Sequence, residues 1–228
     1  MRSHGTVDQL IDTLRDIITT PVEDDGLEFD SASVAGAEIR LDARYGGTRL
    51  QCRARLGNAR LSLQVDVGHG DVITPEAQPV VYPALLDFDP PELLGYTQET
   101  AIAEKLEAMV VLDMANTRMK DFLDIWTLAQ RHAFDGTLLS TALAATFQRR
   151  ATAIPDGTPI ALTDAFHSNP TKRAQRQAYL RKTRISAPPS LMDTTSMIAT
   201  FAVPVLAALR KRQVFNHQWA PGGGWRPA

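Results

Sequence analysis

An α+β fold is predicted for this chain by two observations. Between residues 39 and 67 apolar and polar residues alternate with the two-residue period of half-buried strands. From Glu99 onward that alternation gives way to the 3.6-residue spacing of helices. The expected arrangement is a small antiparallel sheet with one helix over residues 1–95, followed by a helical domain over residues 96–228.

The first element is an amphipathic helix, because Val7, Leu10, Ile11, Leu14, Ile17 and Ile18 recur on one helical face. It lacks the continuous apolar stretch of a secretion signal. "DDGLEFD" then reads as a turn into a short strand. Three alternating runs follow, with Ile39, Leu41, Ala43 and Tyr45 in the first, Leu50, Cys52, Ala54 and Leu56 in the second, and Leu61, Leu63, Val65 and Val67 in the third. The expected turns are Gly46-Gly47, of the two-residue hairpin class, and Gly57-Asn58. Residues 71–95 are Pro-rich and irregular, and read as a linker. Helices are then expected from Glu99, from Arg118, over 138–151 behind a Thr137 cap, over 171–183 and over 191–212. The tail "WAPGGGWRP" shows turn chemistry and no evident fold of its own.

With 228 residues, 44% hydrophobic and 22% charged, the composition is that of an ordinary globular chain able to bury a core. Its single cysteine, Cys52, excludes an internal disulfide framework and a thiolate metal cluster, which fits a reducing, cytoplasmic setting. The one long apolar run, Met197 to Leu209, is short for a bilayer and carries Pro204, so no membrane segment is indicated. A net charge of −2 points to no polyanion, but its distribution is uneven. No acidic residue lies between Asp164 and Asp193, a stretch that holds Lys172, Arg173, Arg176, Arg181, Lys182 and Arg184. These form either a solvated helix face or an RNA-contacting surface.

The charges within the helical faces are the most informative feature. On the Glu99 helix, Lys105 falls inside the apolar arc of Ile102, Leu106, Met109 and Val110, while Glu104 and Glu107 project to the opposite side. On the next helix, Asp121 and Arg118 share an arc with Phe122, Ile125 and Trp126, and Lys120 and Asp124 lie outward or at its margin. A charge cannot stay in such a place unpaired. Two readings follow: a structural ion-pair cluster pinning the helices, or a cleft in which Lys105, with Arg118 nearby, meets an anionic ligand while Asp121 orients it or accepts a proton.

Other candidates are weaker. "YGGTRL" could cradle phosphate only if a helix followed, and a strand pattern follows instead. In "LQVDVGHGD", Asp66 lies on the polar face of a strand, with His69 and Asp71 in the turn after it. One strand carboxylate does not hold Mg²⁺ unaided.

The run "YTQETAIAEKLEAMVVLDMANTRMKDFLDIWTLAQ" resembles the hallmark region of the AbiEii/AbiGii-type nucleotidyltransferase toxins: an ETxxAEKLxAM helix followed by an NxRxKDxxDxxxL helix. The resemblance extends upstream to "LQVDVGHGD" and "YPALLDFDPPELLGY" and downstream to "ATFQRRAT". It implies a nucleotidyltransferase-like fold and transfer of NMP from NTP, with Mg²⁺, onto an RNA or protein acceptor. A separately encoded antitoxin is the implied partner. It places Lys105, Lys120, Asp121 and Asp124 at the nucleotide site, with Asp66 in the position of a strand carboxylate that serves a metal. The family's Gly-Gly/Ser turn and Asp-x-Asp strand, expected before the first helix, have no counterpart here. The resemblance therefore implies an N-terminally depleted sheet, an edge available for self-association, and a chain that is incomplete or inactive as given, or a catalytically dead remnant kept as a binding module.

Overall fold

The computed structural model describes residues 5–40, 46–68, 70, 72–183 and 189–228. The fold is α+β, and the chain divides into two compact units, Met1–Asp71 and Val72–Ala228.

The first unit is a helix on a three-stranded antiparallel sheet of order β1-β2-β3. Helix α1, Val7–Ile18, starts at a capping box in which the Thr6 hydroxyl accepts from Gln9 N–H and the Gln9 side chain accepts from Thr6 N–H. Strand β1, Leu27–Arg40, runs through both the expected short strand and the start of the first alternating run. Its register breaks between Asp30 and Ala35, and Ser33 bridges the break, donating to Asp30 C=O at 2.6 Å and accepting from Arg53 N–H at 2.8 Å. Strand β2, Gly46–Leu56, and strand β3, Ala59–Gly68, pair through a two-residue turn at Gly57-Asn58, with Gly57 at φ +56°. Gly46 and Gly47 are not the turn that the dipeptide suggested. They lie in β2 opposite Arg40 and Ile39, so the connection falls in residues 41–45, outside the described residues. Alternation fixes which side is buried: Leu50, Cys52 and Ala54 point inward. Gly36 explains how closely α1 approaches them, because a Cβ there would lie 2.9 Å from Val7 and 3.0 Å from Leu50.

The second unit is mainly helical. Residues 72–95 are more than a linker: β4, Gln78–Val81, and β5, Glu92–Gly95, form an antiparallel hairpin. Helix α2, Gln98–Leu112, begins at the Thr97 cap. One turn later the Thr100 hydroxyl donates to Thr74 C=O at 2.9 Å and accepts from Thr74 N–H at 3.0 Å, anchoring the segment before the hairpin. Helix α3, Met119–Arg131, β6, Phe134–Asp135, and α4, Gly136–Arg149, follow. Asp135, rather than Thr137, caps α4, its carboxylate accepting from the amides of Thr137 and Leu138. Two short elements without a periodic signature, a 3₁₀ turn at Ile160–Leu162 and helix α5, Asp164–His167, lead into α6, Pro170–Thr183. Helix α7, Leu191–Arg210, is long and apolar enough to cross a membrane. Ile198, Phe201, Ala202, Val205 and Leu206 are nevertheless buried in the same core as Phe122 of α3 and Leu143 of α4.

The tail is ordered, contrary to its turn-rich sequence. Strands β7, His217–Trp219, and β8, Trp225–Pro227, form a hairpin that pairs with β6. Trp219 Nε1 donates to Ala129 C=O at 2.7 Å and Trp225 Nε1 to Phe201 C=O at 2.8 Å, so the buried Trp219 and the partly buried Trp225 pack without orphaning their N–H groups.

Candidate functional site

The helical charges converge on Lys105. Its Nζ lies 2.9 Å from Asp121 Oδ1 and 2.9 Å from Asp124 Oδ2, so one ammonium of α2 joins two carboxylates of α3. Spacing explains the double contact, since residues three apart share a helix face. Lys120 reaches the same Asp124 oxygen from solvent at 2.5 Å. Asp124 is thus a full member of the cluster, not a marginal residue. Arg118 is not: it is exposed at the start of α3 and makes no side-chain ion pair among the described residues. The cluster is neither open nor sealed, with Lys105 23%, Asp121 16% and Asp124 26% exposed at their side chains.

Burial opposes the charge on Lys105, but hydrogen bonds with Asp124 and Asp121 outweigh it and raise its pKa above the ordinary lysine value. The same balance holds Asp124 low: burial pushes it up, and Lys105 and Lys120 more than compensate. Lys105 and Asp124 are therefore both charged at neutral pH.

The connection between the two helices is fixed from below. Asn116 is fully buried, and its Oδ1 accepts from Arg118 N–H at 2.8 Å, turning the chain into α3. Lys172 of α6 donates to Asn116 C=O at 2.9 Å and lies 5.3 Å from the centre of the Phe166 ring. The basic stretch accordingly divides. Lys172 and Arg176 are buried, so neither presents a contact surface for RNA, whereas Arg173, Arg181 and Lys182 are exposed. Arg184 lies outside the described residues, as do His69 and Asp71.

Glu107 was expected to face solvent. It is buried instead, accepting from Arg150 Nη1 at 3.0 Å and from the Thr152 hydroxyl at 2.5 Å. Because α2 is enclosed on most sides, the rule that charges mark its outer face fails; a carboxylate with cations and hydroxyls some 43 residues onward has no local signal.

Asp66, in the first unit, is held bidentately by Arg49, its cross-strand partner, at 2.8 and 2.9 Å, and Gln64 Nε2 adds a contact at 3.2 Å. The Arg49 hydrogen bond depresses its pKa. Among the described residues no group of three or more His, Cys, Asp or Glu side chains gathers as a metal site would require. Asp121 and Asp124 are spent on an ammonium and Asp66 on a guanidinium, so these carboxylates as arranged do not fit a divalent cation.

The family described as "Nucleotidyl transferase AbiEii toxin, Type IV TA system" matches residues 3–202, a span that includes the α2–α3 cluster. No curated protein matches the chain. A match over most of the sequence, with the cluster of Lys105, Asp121 and Asp124 at its centre, places this chain in the AbiEii nucleotidyl transferase toxin family of toxin–antitoxin systems.

Proposed function

We propose that the protein serves nucleotidyl transfer in the cytoplasm, moving the NMP of an NTP onto an RNA or protein acceptor as the toxic member of a pair with a separately encoded antitoxin. The observation that supports this is Lys105, a compact cation suspended between carboxylates on a second helix within the family-matched region. An entering triphosphate offers Lys105 a stronger anionic partner than either carboxylate. Asp121 and Asp124 then keep the ammonium aimed, each able to hold it while the other yields. Lys120 and Arg118, both exposed, extend the positive rim along the start of α3. Arg173, Arg181 and Lys182 give an RNA acceptor a place to contact.

Mg²⁺ would supply charge neutralisation at the transferring phosphate in this chemistry. The described carboxylates are engaged by cations and, as arranged, would not hold it. That engagement favours a second reading of the chain as given: it binds NTP weakly, transfers no detectable nucleotide alone, and acts as a binding module. The edge strand β3 offers such a module a means of self-association.

The test is to incubate the chain with radiolabelled NTPs, Mg²⁺ or Mn²⁺ and total RNA, and to measure NTP binding in parallel. No labelling is expected from the chain alone, with weak NTP binding that Lys105→Ala abolishes. Robust labelling that disappears in Lys105→Ala would overturn the inactive reading and leave the transferase reading standing. NTP binding indifferent to Lys105→Ala would remove Lys105 from the site.

A further inference from the structure

A second cationic site lies in the helical unit. A cavity of about 500 Å³ opens where α5, the middle of α6 and the start of α7 meet. Arg176 lines it and is 4% exposed, yet among the described residues its Nε and Nη1 have no hydrogen-bond partner, while Nη2 donates to Pro189 C=O at 3.3 Å. Two unpaired donors on a buried guanidinium are costly, and an anion drawn to the guanidinium from the cavity would offset that cost. Burial without a carboxylate partner pulls the Arg176 pKa down.

Three further features point the same way. Arg173, on the same wall, is exposed, and its Nε donates to His167 C=O at 3.2 Å. The first turn of α7 also lines the cavity, and there the amides of Leu191 and Met192 precede the first possible intrahelical bond and the helix dipole favours negative charge. Leu180, Leu191 and Met192 supply an apolar floor beside these donors. Two carboxylates lie nearby: Asp164, 89% exposed, is 3.2 Å from His167 Nε2, and Asp193 accepts from the Ser190 hydroxyl at 2.7 Å.

We propose that this cavity binds a small organic phosphate monoester, its phosphate held between Arg173, Arg176 and the first turn of α7, its organic body against Leu180, Leu191 and Met192. Two cations suit a dianionic monoester better than a diester carrying a single charge. The volume suits one small molecule and not a nucleic-acid strand. This site is separate in its residues from Lys105, Asp121 and Asp124, and shares only Arg173 with the cations offered above to an RNA acceptor.

The test is isothermal titration calorimetry of the whole chain at constant chloride, with phenyl phosphate, inorganic phosphate and phenol as probes. Phenyl phosphate should bind saturably and several-fold more tightly than inorganic phosphate, and phenol should not bind. Arg173→Gln and Arg176→Met should each weaken phenyl phosphate by about tenfold or more, and Lys105→Met should leave it unchanged. Arg173 is exposed, so Arg173→Gln decides the matter even if Arg176→Met fails to fold. The proposal is overturned by an absence of saturable binding at millimolar phenyl phosphate, which would mean that water satisfies Arg176. It is equally overturned if Arg173→Gln binds like the parent, if Lys105→Met alone abolishes binding, or if a 5′-hydroxyl RNA oligonucleotide binds through Arg173 while phenyl phosphate does not.

Discussion

Lys105 has two anionic partners and Glu107, two residues on, has a cation and a hydroxyl, but the two ion pairs differ in what a single deletion leaves behind. Removing Asp121 leaves Lys105 paired with Asp124 and still partly hydrated, so Asp121→Ala should cost no more than about 1 kcal/mol. Removing Glu107 takes a hydrogen-bonded carboxylate from Arg150, whose side chain is only 11% exposed, and from the Thr152 hydroxyl, so Glu107→Ala should cost more, about 2 kcal/mol or above. Urea unfolding of the two variants checks this ordering; equal losses would mean that the Glu107 pair is already well hydrated. Lys105 was legible in the sequence because it interrupts an apolar arc. Glu107 was not: it lies about 140° around the helix from Ile102, on a side that is outer only if the helix has an outer side. With Thr100, Ala103, Ala108 and Met109 all buried, α2 has very little of one. The partners of Lys105 lie on α3 and those of Glu107 just beyond the end of α4, and periodicity reveals neither.

At the level of elements, periods of two and 3.6 located the sheet, α1 and the longer helices, but what closes each unit was not periodic. The tail hairpin is held by two indole N–H bonds and by Gly136, where a Cβ would come within 2.6 Å of Phe215 and 2.8 Å of His217 C=O. Turn residues are all the sequence displays there, because strands of three residues are too short to show alternation. Trp219 fills the core and bonds to the end of α3, so Trp219→Ala should cost about 3–5 kcal/mol, read as a lowered urea midpoint. In the first unit the open question is the edge. Strand β3 ends the sheet, and Leu61, Leu63 and Val65 are exposed at 39%, 37% and 43% on the side where Leu50 and Cys52 are buried. An unpaired edge with apolar side chains is a template for another strand, and charge on it is the usual protection. The chain should therefore self-associate with rising concentration in sedimentation velocity, and Leu63→Lys should reduce this. A parent that stays monomeric throughout would dispose of the edge as an interface.

Across the whole molecule the ionisable groups pull stability in identifiable directions with pH. Asp66, Asp124 and Asp135 all have pKa values below the ordinary 3.8: Asp66 through Arg49, Asp124 through Lys105 and Lys120 against the opposing effect of burial, and Asp135 through the Leu138 amide it caps. A depressed carboxylate contributes stability that is complete above its unfolded pKa and is lost as pH falls through its folded pKa. The contribution of these three carboxylates should thus be complete at neutrality and decline once pH drops below the ordinary carboxylate range. The alkaline side is mixed. Lys105, raised by its carboxylates, keeps its contribution up to the ordinary lysine value and loses it as pH rises through the folded one. Lys172, lowered by burial, acts in the opposite sense, because its folded form gives up its proton first and stability rises across that interval. The acid limb is therefore the cleaner measurement. Asp124→Asn removes one depressed carboxylate while leaving Asp121 on Lys105, so its urea midpoint should fall less steeply between pH 4 and pH 2 than that of the parent, by an amount limited to about 1 kcal/mol by solvent screening of a partly exposed pair. If the two acid limbs run parallel, Asp124 titrates in the folded chain as it does in the unfolded one. The Lys105 cluster would then be open enough to water that its ion pairs contribute nothing to stability and leave the ammonium free for an incoming phosphate.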